Sequence, residues 1–238
     1  MSAVYGVEDA IVLLEGKSES RRFTAVLEQL RLGRVSVCFL DGDLGVLTRL
    51  ARGGYFATPF CEDGARAMAG LLPSGAVSNI CDVAFAPLIA PGVDPAEYEL
   101  RVYDGTTPID PGDAKISMRP LSARDFDLVD ACYDLLPSDA ILDHIERGWL
   151  RGGYDRRGDL VGFIGEHDEG SMGMLEVFPD HRRRGYARAL EAALMEDFLL
   201  QGRVPYCHVD PANEASKALQ ERLGLKRVGP MQCWVEIP

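Results

Sequence analysis

The sequence predicts a mixed α/β protein, and three observations support this prediction. The chain has 238 residues, of which 47% are hydrophobic and 26% are charged, the composition of a folded protein with a core. Apolar residues alternate at strand spacing in some segments and recur at helical spacing in others. A stretch rich in Asp, Pro and Gly, Tyr103–Asp113, interrupts both patterns. We therefore expect two α/β domains, residues 1–113 and residues 114–238.

The first half contains weaker but still alternating signals. Helices are expected over Ser20–Leu32 and Glu62–Leu72. The strand-like segments are Val35–Leu40, Gly45–Leu50, Gly54–Phe60, Val77–Ile89 and Glu97–Tyr103. Because no part of this half has catalytic residue spacing, we expect it to be a non-catalytic domain that forms one wall of an acceptor site.

The second half predicts a definite order of elements. A short strand, Lys115–Pro120, precedes a helix that begins at Ser122 with Asp125 three residues later, a variant of the capping box. Pro137 is expected to end this helix, and Ser138 begins another. The apolar stripe of the first helix is Leu128, Val129, Cys132 and Leu136. The remaining elements are three strands of a meander (Gly152–Asp155, Leu160–His167 and Met172–Phe178), a helix (Arg184–Leu200), a strand (Val204–Val209), a helix (Asn213–Leu223) and a strand (Met231–Ile237).

Charge and cysteine content exclude several classes of protein. The chain carries 25 basic and 37 acidic residues, so its net charge of −12 repels nucleic acid and anionic membranes. Six cysteines lie far apart with no C-x-x-C pair, so we expect neither disulfides nor a zinc site. The segment Met1–Lys17 places acid before a short apolar run, unlike a targeting signal. We expect a cytoplasmic protein that binds no metal, nucleic acid or membrane.

The most informative segment, residues 175–190, leads from a predicted strand through Pro179 and a basic loop into a helix. Gly185 has no Cβ, so the backbone there can approach a ligand closely. The first amides of the helix lack helical partners and form the positive end of its dipole. Arg182, Arg183, Arg184 and Arg188 add charge. This order predicts a phosphate-binding site rather than a solvated basic face in which Gly185 only eases a turn.

These residues resemble a known family. Residues 182–187, Arg-Arg-Arg-Gly-Tyr-Ala, match the [QR]-x-x-G-x-[GA] signature of the GNAT N-acetyltransferase superfamily and follow its usual V-x-P, here Val177 to Pro179. Residues 213–225 resemble a second family element, with Asn213, Ala215-Ser216, Leu219 and Leu223-Gly224-Leu225 in place. The resemblance covers about residues 115–238. The layout is most similar to the glycine N-acyltransferase-like branch, in which the first half would be a degenerate copy of the same fold.

The resemblance implies a splayed central sheet flanked by helices, and transfer of an acyl group, most simply acetyl from acetyl-CoA, to an amine by direct attack. The acceptor would be a small molecule or an amino acid. The pantetheine arm would lie between the strands of Leu175–Val177 and Val204–Val209. The implied cofactor-binding residues are Leu175, Val177, Arg182, Arg183, Arg184, Gly185, Tyr186, Ala187, Arg188, Asn213 and Ser216. Asn213 is equally expected as a helix N-cap, and Ser216 as a helix-surface residue.

A protonated amine cannot attack, so a base must accept its proton. Glu176 is the first candidate, because strand alternation puts it beside the expected thioester; the alternative is that it only contacts the arginine loop. His208, on the adjacent predicted strand, is the second candidate. Glu166 and His167 end another predicted strand and are further candidates.

The acid step departs from the family pattern. The family commonly supplies a Tyr to protonate the leaving thiolate, but the residue after Leu219 is Gln220. Either solvent, Tyr186 or Tyr206 supplies the proton, or activity is reduced. The sequence therefore leaves a second function class open, a non-catalytic acyl-CoA sensor. Nucleic-acid binding through the arginine cluster is disfavoured by the net charge.

Overall fold

A computed structural model of the protein describes residues 6–133 and 135–238. Residues 1–5, the start of the Met1–Lys17 segment, lie outside the described residues. The chain forms two compact units that interleave along the sequence. The first contains the chain up to Val102 together with His208–Lys217 and Arg227–Pro238, and the second contains Tyr103–Cys207 and Ala218–Lys226. The division of roles at residue 113 stays a prediction.

The helices and strands are as follows. The helices are α1 (Val7–Glu15), α2 (Thr24–Arg31), α3 (Glu62–Ala69), α4 (Ala86–Ile89), α5 (Phe126–Asp130), α6 (Ser138–Glu146), α7 (Tyr186–Leu200) and α8 (Glu214–Arg222). The strands are β1 (Val35–Asp41), β2 (Gly45–Leu50), β3 (Tyr55–Pro59), β4 (Val77–Ile80), β5 (Ala96–Tyr103), β6 (Ser117–Pro120), β7 (Leu150–Tyr154), β8 (Leu160–Glu166), β9 (Met172–Val177), β10 (Tyr206–Val209), β11 (Leu225–Arg227) and β12 (Gln232–Glu236).

Two sheets organise the described strands. The smaller sheet is antiparallel with the order β6-β7-β8-β9. The larger sheet has the order β1-β2-β3-β4-β12-β5-β10, and β11 also pairs with β5. The C-terminal strand β12 pairs antiparallel with both β4 and β5, with Cys233 opposite Ile80 on one side and Glu97 on the other. The last strand of the chain therefore completes the sheet of the first unit.

The order of elements recurs along the chain. Two helices, three antiparallel strands, a helix, a strand, a helix and a strand occur first from α1 to β5 and again from α5 to β11. In the first series β3 pairs in parallel with β4. In the second series the corresponding strands, β9 and β10, end different sheets. The predicted mixed α/β fold with a splayed sheet is confirmed, and the recurrence is what a degenerate internal copy would produce.

Each unit has its own apolar core. In the first unit the buried cluster includes Leu47, Met68, Leu72, Ile80, Ile89 and Val235. In the second it contains Leu121, Val129, Ile141, Ile145, Leu150, Phe163, Met174 and Phe178. The predicted capping box is confirmed at the start of the second unit, where the Ser122 backbone N–H donates to the Asp125 carboxylate at 2.8 Å. Among the described helices, none combines the length and apolarity needed to cross a membrane.

One predicted strand is wrong over most of its length. Of Val77–Ile89, only Val77–Ile80 is a strand, and the chain then forms a short 3-10 turn and α4. The Asp82 side chain accepts a hydrogen bond from the Ala84 backbone N–H at 3.0 Å and so caps the turn. Pro87 stands in the first turn of α4, where its missing N–H has no helical partner to lose. Local capping therefore overrides the apolar run.

Several other boundaries also differ from the prediction. The helix after Ser122 ends at Asp130, well before Pro137, and Leu128 is 44% exposed rather than part of an apolar stripe. Leu136 lies outside the helix, yet it still packs against the core of the second unit. The segment Ser20–Leu32 opens as a 3-10 turn before α2 begins. The sequence did not predict α1 or β11, which are short and weakly patterned.

Candidate anion-binding and catalytic site

Strand β9 leads into the candidate site and carries a bulge. Between the pairs Glu176–Phe163 and Gly173–Gly165, β9 advances three residues while β8 advances two. Met174, within the extra segment, has a φ of 53°, which a non-glycine residue rarely adopts. A bulge turns the strand locally and takes a residue out of the ladder. Sequence reasoning missed this feature, because nothing in the residue pattern of β9 indicates it.

Close contact between β8 and β9 explains why residue 162 is a glycine. A Cβ on Gly162 would lie 2.2 Å from the Glu176 carbonyl oxygen, so no larger residue fits there without backbone movement. Further along β9, Met174 and Phe178 are buried in the core, whereas Glu176 lies between them with its side chain 24% exposed. Of the two strand residues implied in cofactor binding, Leu175 is half-buried and Val177 is buried.

The loop after β9 contains two residues with left-handed backbone just before α7 begins. Arg183 and Gly185 both have left-handed φ values, 61° and 83°. Gly185 is the N-cap of α7, with no side chain capping the helix. The Ala189 N–H makes the first helical bond, to the Gly185 carbonyl at 3.1 Å, so the preceding amides of the turn lack intrahelical partners. These donors and the positive end of a 15-residue helix lie next to a loop whose residues 182–185 are exposed.

The four arginines of the loop divide into two pairs. Arg182 is held by its own strand, donating from Nε to the Val177 carbonyl at 2.9 Å and from Nη2 to Glu176 Oε1 at 2.7 Å. Arg188 is held by Asp110, with Nη2 and Oδ2 2.6 Å apart. Arg183 and Arg184 are exposed and have no carboxylate within ion-pair distance among the described residues. The second pair is therefore available to an external anion.

Asp110, the partner of Arg188, is itself held by a backbone hydrogen bond. Asp110 accepts the Gly112 backbone N–H at 2.8 Å, and this bond, followed by the charge of Arg188, lowers the pKa of its carboxyl. The linker predicted between the halves thus contacts the start of α7 within the second unit. Tyr186 and Ala187, the first two residues of α7, are half-buried beside this contact.

The two candidate bases have different surroundings. Glu176 contacts the arginine loop through Arg182, as the alternative interpretation predicted, and its role as base stays a prediction. His208 lies in the first unit, with Nε2 3.1 Å from Gln232 Oε1. Gln232 in turn donates from Nε2 to the Arg22 carbonyl, so its oxygen faces His208 and the imidazole Nε2 carries the proton.

Three further candidates make structural contacts. Glu166 and Arg203 form an ion pair at 2.5 Å, with both side chains more than nine-tenths buried. The Tyr206 hydroxyl is buried and donates to the Glu169 carbonyl at 2.5 Å. The backbone N–H of His167 donates to the Ser171 carbonyl, and the ring covers Gly173. These contacts connect the end of β8 with β10 and the turn that follows β8.

Gln220, at the position where the resemblance to the GNAT pattern implies a Tyr, faces the helix α7. Its side chain is 4% exposed and hydrogen-bonds to Glu191, which is 3% exposed. Burial raises the pKa of the Glu191 carboxyl to about 7, and the Gln220 hydrogen bond opposes that increase. Glu191 Oε2 and Gln220 Oε1 are buried without hydrogen-bond partners among the described residues. Sequence reasoning missed Glu191, since a single acid on a helix gives no sign that it is buried.

The second family element forms the start of α8. Asn213 Oδ1 accepts the Ser216 backbone N–H at 3.0 Å, which confirms the N-cap role predicted for Asn213. Ser216 is half-buried in the first turn of the helix. Contacts of either residue with a cofactor stay predictions.

Part of the chain matches a known protein family, and nearly all of it resembles solved structures in fold. Residues 149–235 match the family described as FR47-like protein. No curated protein matches the chain. A solved structure of a Drosophila protein is 14% identical, with a TM-score of 0.69 over 98% of this chain and 96% of that one. A putative GNAT-family acetyltransferase from Novosphingobium aromaticivorans is 21% identical, with a TM-score of 0.54 over 89% and 96%. A GNAT-family acetyltransferase from Colwellia psychrerythraea is 15% identical, with a TM-score of 0.53 over 84% of each chain.

At these identities the comparisons establish the fold. The chain has the fold of the GNAT acetyltransferases over nearly its whole length, and the family match covers the part from β7 to β12 that contains the arginine loop. The family match covers residues 149–235, and the solved structures show a shared fold alone. The glycine N-acyltransferase-like branch stays a prediction.

Proposed function

We propose that this protein is an acyl-CoA-dependent N-acyltransferase that moves an acetyl group from acetyl-CoA to an amine of a small molecule or an amino acid. The observation that carries the proposal is the start of α7, where Gly185 and the following amides, with Arg183 and Arg184, offer unpaired donors and charge. A pyrophosphate needs this combination of backbone N–H groups, helix dipole and guanidinium groups. The shared GNAT fold supports the proposal independently.

Backbone strain at the loop agrees with an anion site. Arg183 adopts a left-handed φ of 61°, which is unfavourable for a residue with a Cβ. Strained conformations persist where the surrounding structure enforces them, and they are concentrated at binding sites. Alternation of left-handed and other residues also aims successive amides into one concavity, the arrangement that binds phosphate groups.

We assign Arg182 a positioning role. Its guanidinium is already engaged by Val177 and Glu176, so it connects the end of β9 to the loop and fixes where the loop begins. In this proposal Arg183 and Arg184 meet the phosphate groups, while β9 lies alongside the pantetheine arm. The reaction then proceeds by direct attack of the amine on the thioester, with the gain coming from holding both substrates in position.

Glu176 is the proposed base, acting directly or through one water. Its side chain is partly exposed, which leaves it accessible to a proton from the amine. Its contact with Arg182 uses Oε1 and leaves Oε2 for that proton. His208 is the alternative base, and it is the next residue to change if Glu176 proves dispensable.

The acid step sets this chain apart from the usual family pattern. Gln220 is buried against Glu191, and the Tyr206 hydroxyl is bonded to a backbone carbonyl. We therefore propose that solvent or Tyr186 protonates the leaving thiolate. The same observation favours the second candidate function, an acyl-CoA-binding sensor that retains the loop without turnover.

Binding is tested by thermal unfolding with and without acetyl-CoA. A ligand at 100 times its Kd stabilises the native state by about 2.7 kcal/mol, which corresponds to a rise in Tm of about 5–10 °C for a chain of this size. Gly185→Val should abolish the rise by adding a Cβ at a left-handed position that approaches Ala114 Cβ at 3.4 Å. Gly158→Val is the matched control, because Gly158 has a similar φ of 88° and open space around it.

An unchanged rise in Gly185→Val would refute the anion site. Turnover is tested separately by release of free CoA thiol over a panel of amines and amino acids. Thiol release that depends on an amine supports the transferase, whereas binding without thiol release would replace it with the sensor.

A further inference from the structure

A cluster of potential metal ligands lies in the second unit, apart from the arginine loop. Asp143 and His144 are on α6, and Asp168 is in the turn after β8. Each offers one ligand atom, and these atoms lie within 4.8 Å of one another. Asp143 and His144 are adjacent, whereas Asp168 lies 24 positions after His144, and the three residues match no metal-binding sequence motif.

His144 directs a lone pair into this cluster. Its side chain is 3% exposed, and its Nδ1 lies 2.7 Å from the Ala140 carbonyl oxygen. A carbonyl oxygen can only accept, so Nδ1 carries a hydrogen, and in the tautomer with its hydrogen on Nδ1 alone the lone pair is at Nε2. That Nε2 atom is buried and has no hydrogen-bond partner among the described residues. A buried unsatisfied nitrogen is costly unless something binds it.

The surroundings of His144 match those of a metal-bound histidine. Ligating histidines usually donate their other ring N–H to a backbone carbonyl or carboxylate, which fixes the ring and its tautomer. Here Ala140 supplies that carbonyl, and Trp149 packs edge-on against the ring with the centroids 5.6 Å apart. The imidazole is thus held in one orientation before any ligand arrives.

The spacing of the ligand atoms suits a single ion. His144 Nε2 and Asp168 Oδ1 are 3.9 Å apart, too far for a hydrogen bond. Two ligands each about 2.0–2.2 Å from one metal ion are at most about 4.4 Å apart, so this distance is compatible with a shared ion. The Asp168 side chain is 45% exposed, so the cluster is open to solvent on that side.

A neighbouring cation orients one of the carboxylates. Arg147 Nε donates to both oxygens of Asp143, at 2.9 and 2.8 Å, and holds that side chain near the C-terminal end of α6. The guanidinium of Arg147 interacts with both Asp143 and Asp168 and offsets part of the negative charge of the two carboxylates. A divalent cation therefore meets an attractive field even with Arg147 in place.

We propose that Asp143, His144 and Asp168 bind one divalent first-row transition-metal ion, with Zn²⁺ as the probe. One imidazole nitrogen and two carboxylate oxygens form the mixed set preferred by Zn²⁺ and its neighbours, whereas Mg²⁺ prefers oxygen ligands and retains its water. The ion would fasten α6 to the turn after β8 and leave positions for water. This site is independent of the proposed acyl transfer.

The test is a calorimetric titration of the full chain with ZnSO₄ after chelator treatment and dialysis, repeated with MgCl₂. We expect one Zn²⁺ bound per chain at this site, a rise in Tm with Zn²⁺, and much weaker Mg²⁺ binding. Asp168→Asn should weaken Zn²⁺ binding at least tenfold, the lower end of the loss seen when even supporting residues of metal sites are changed. His144→Asn should remove the site.

Two matched variants control for other ligands. His181→Asn removes a histidine outside the cluster, and Cys38→Ser removes the exposed cysteine. Both should bind Zn²⁺ like the wild type. Asp168→Asn changes a partly exposed turn residue, so this variant is expected to fold. Its Zn²⁺ affinity therefore tests the proposal even if His144→Asn fails to fold. Absence of Zn²⁺ binding, equal affinity in Asp168→Asn, or Mg²⁺ binding as tight as Zn²⁺ would overturn the proposal.

Discussion

The buried carboxyl of Glu191 should make the stability of this protein depend on pH. Glu191 lies on α7 with 3% of its surface exposed, and burial raises its pKa from 4.5 to about 7. Between pH 4.5 and about pH 7, the folded state therefore retains a proton that the unfolded chain has lost. Since the unfolded state binds fewer protons in this window, the free energy of unfolding falls as pH rises from about 4.5 to about 7.

The size of the effect follows from the same values. Above pH 7, the rise in the pKa of Glu191 from 4.5 to about 7 lowers the free energy of unfolding by about 3 kcal/mol, at 1.36 kcal/mol per pKa unit. At pH 5 the folded-state carboxyl is protonated, and the cost is below about 1 kcal/mol. Replacing Glu191 with Gln removes the ionisation and keeps a similar shape. Relative to the wild type, we expect the free energy of unfolding of this variant to be about 2 kcal/mol higher at pH 8 than at pH 5.

The assay is urea denaturation followed by circular dichroism at pH 5 and pH 8 for wild type, Glu191→Gln and Glu196→Gln. Glu196 lies on the same helix but is exposed, so its variant should follow the wild type at both values. Any constant effect of Glu191→Gln on packing or on the bond to Gln220 cancels in the difference between the two pH values. Parallel stability profiles for Glu191→Gln and wild type would refute the assignment of a buried, protonated carboxyl.

Three further outcomes are expected. Glu176→Gln should retain acetyl-CoA binding but lose about 10²–10⁴-fold in turnover, with the residual rate recovering at higher pH; a loss below about threefold would remove Glu176 as the base. Calorimetry should find one acetyl-CoA per chain. In the first unit β3 pairs directly with β4, and the first turn of α3 carries Glu62 and Asp63, whose negative charge disfavours a phosphate group there. Two acetyl-CoA molecules per chain would contradict this prediction. Gly162→Val should cost at least about 2 kcal/mol in urea denaturation, since its Cβ would meet backbone at 2.2 Å, whereas Gly42→Ala, with open space, should cost far less.

Much of the arginine loop could be read from the residues alone. The order of strand, Pro179, basic loop, Gly185 and helix is local information, because glycine conformation and unpaired helix amides depend on a few neighbouring residues. The same holds for the capping box at Ser122 and for the three-stranded meander before the loop. The division of the arginines was not predictable, since Arg188 is held by Asp110, 78 positions away.

The sequence by itself determined the α/β class, the order of most helices and strands in the second half, and the position of the arginine loop before α7. Only the tertiary structure decided that β12 completes the sheet between β4 and β5, that β9 bulges at Met174, and that Glu191 and Gln220 are buried together. The physical reason is the range of the interactions involved. Turns, caps and periodicity are set within a few residues, whereas strand pairing, burial and side-chain partners depend on segments that only folding brings into contact.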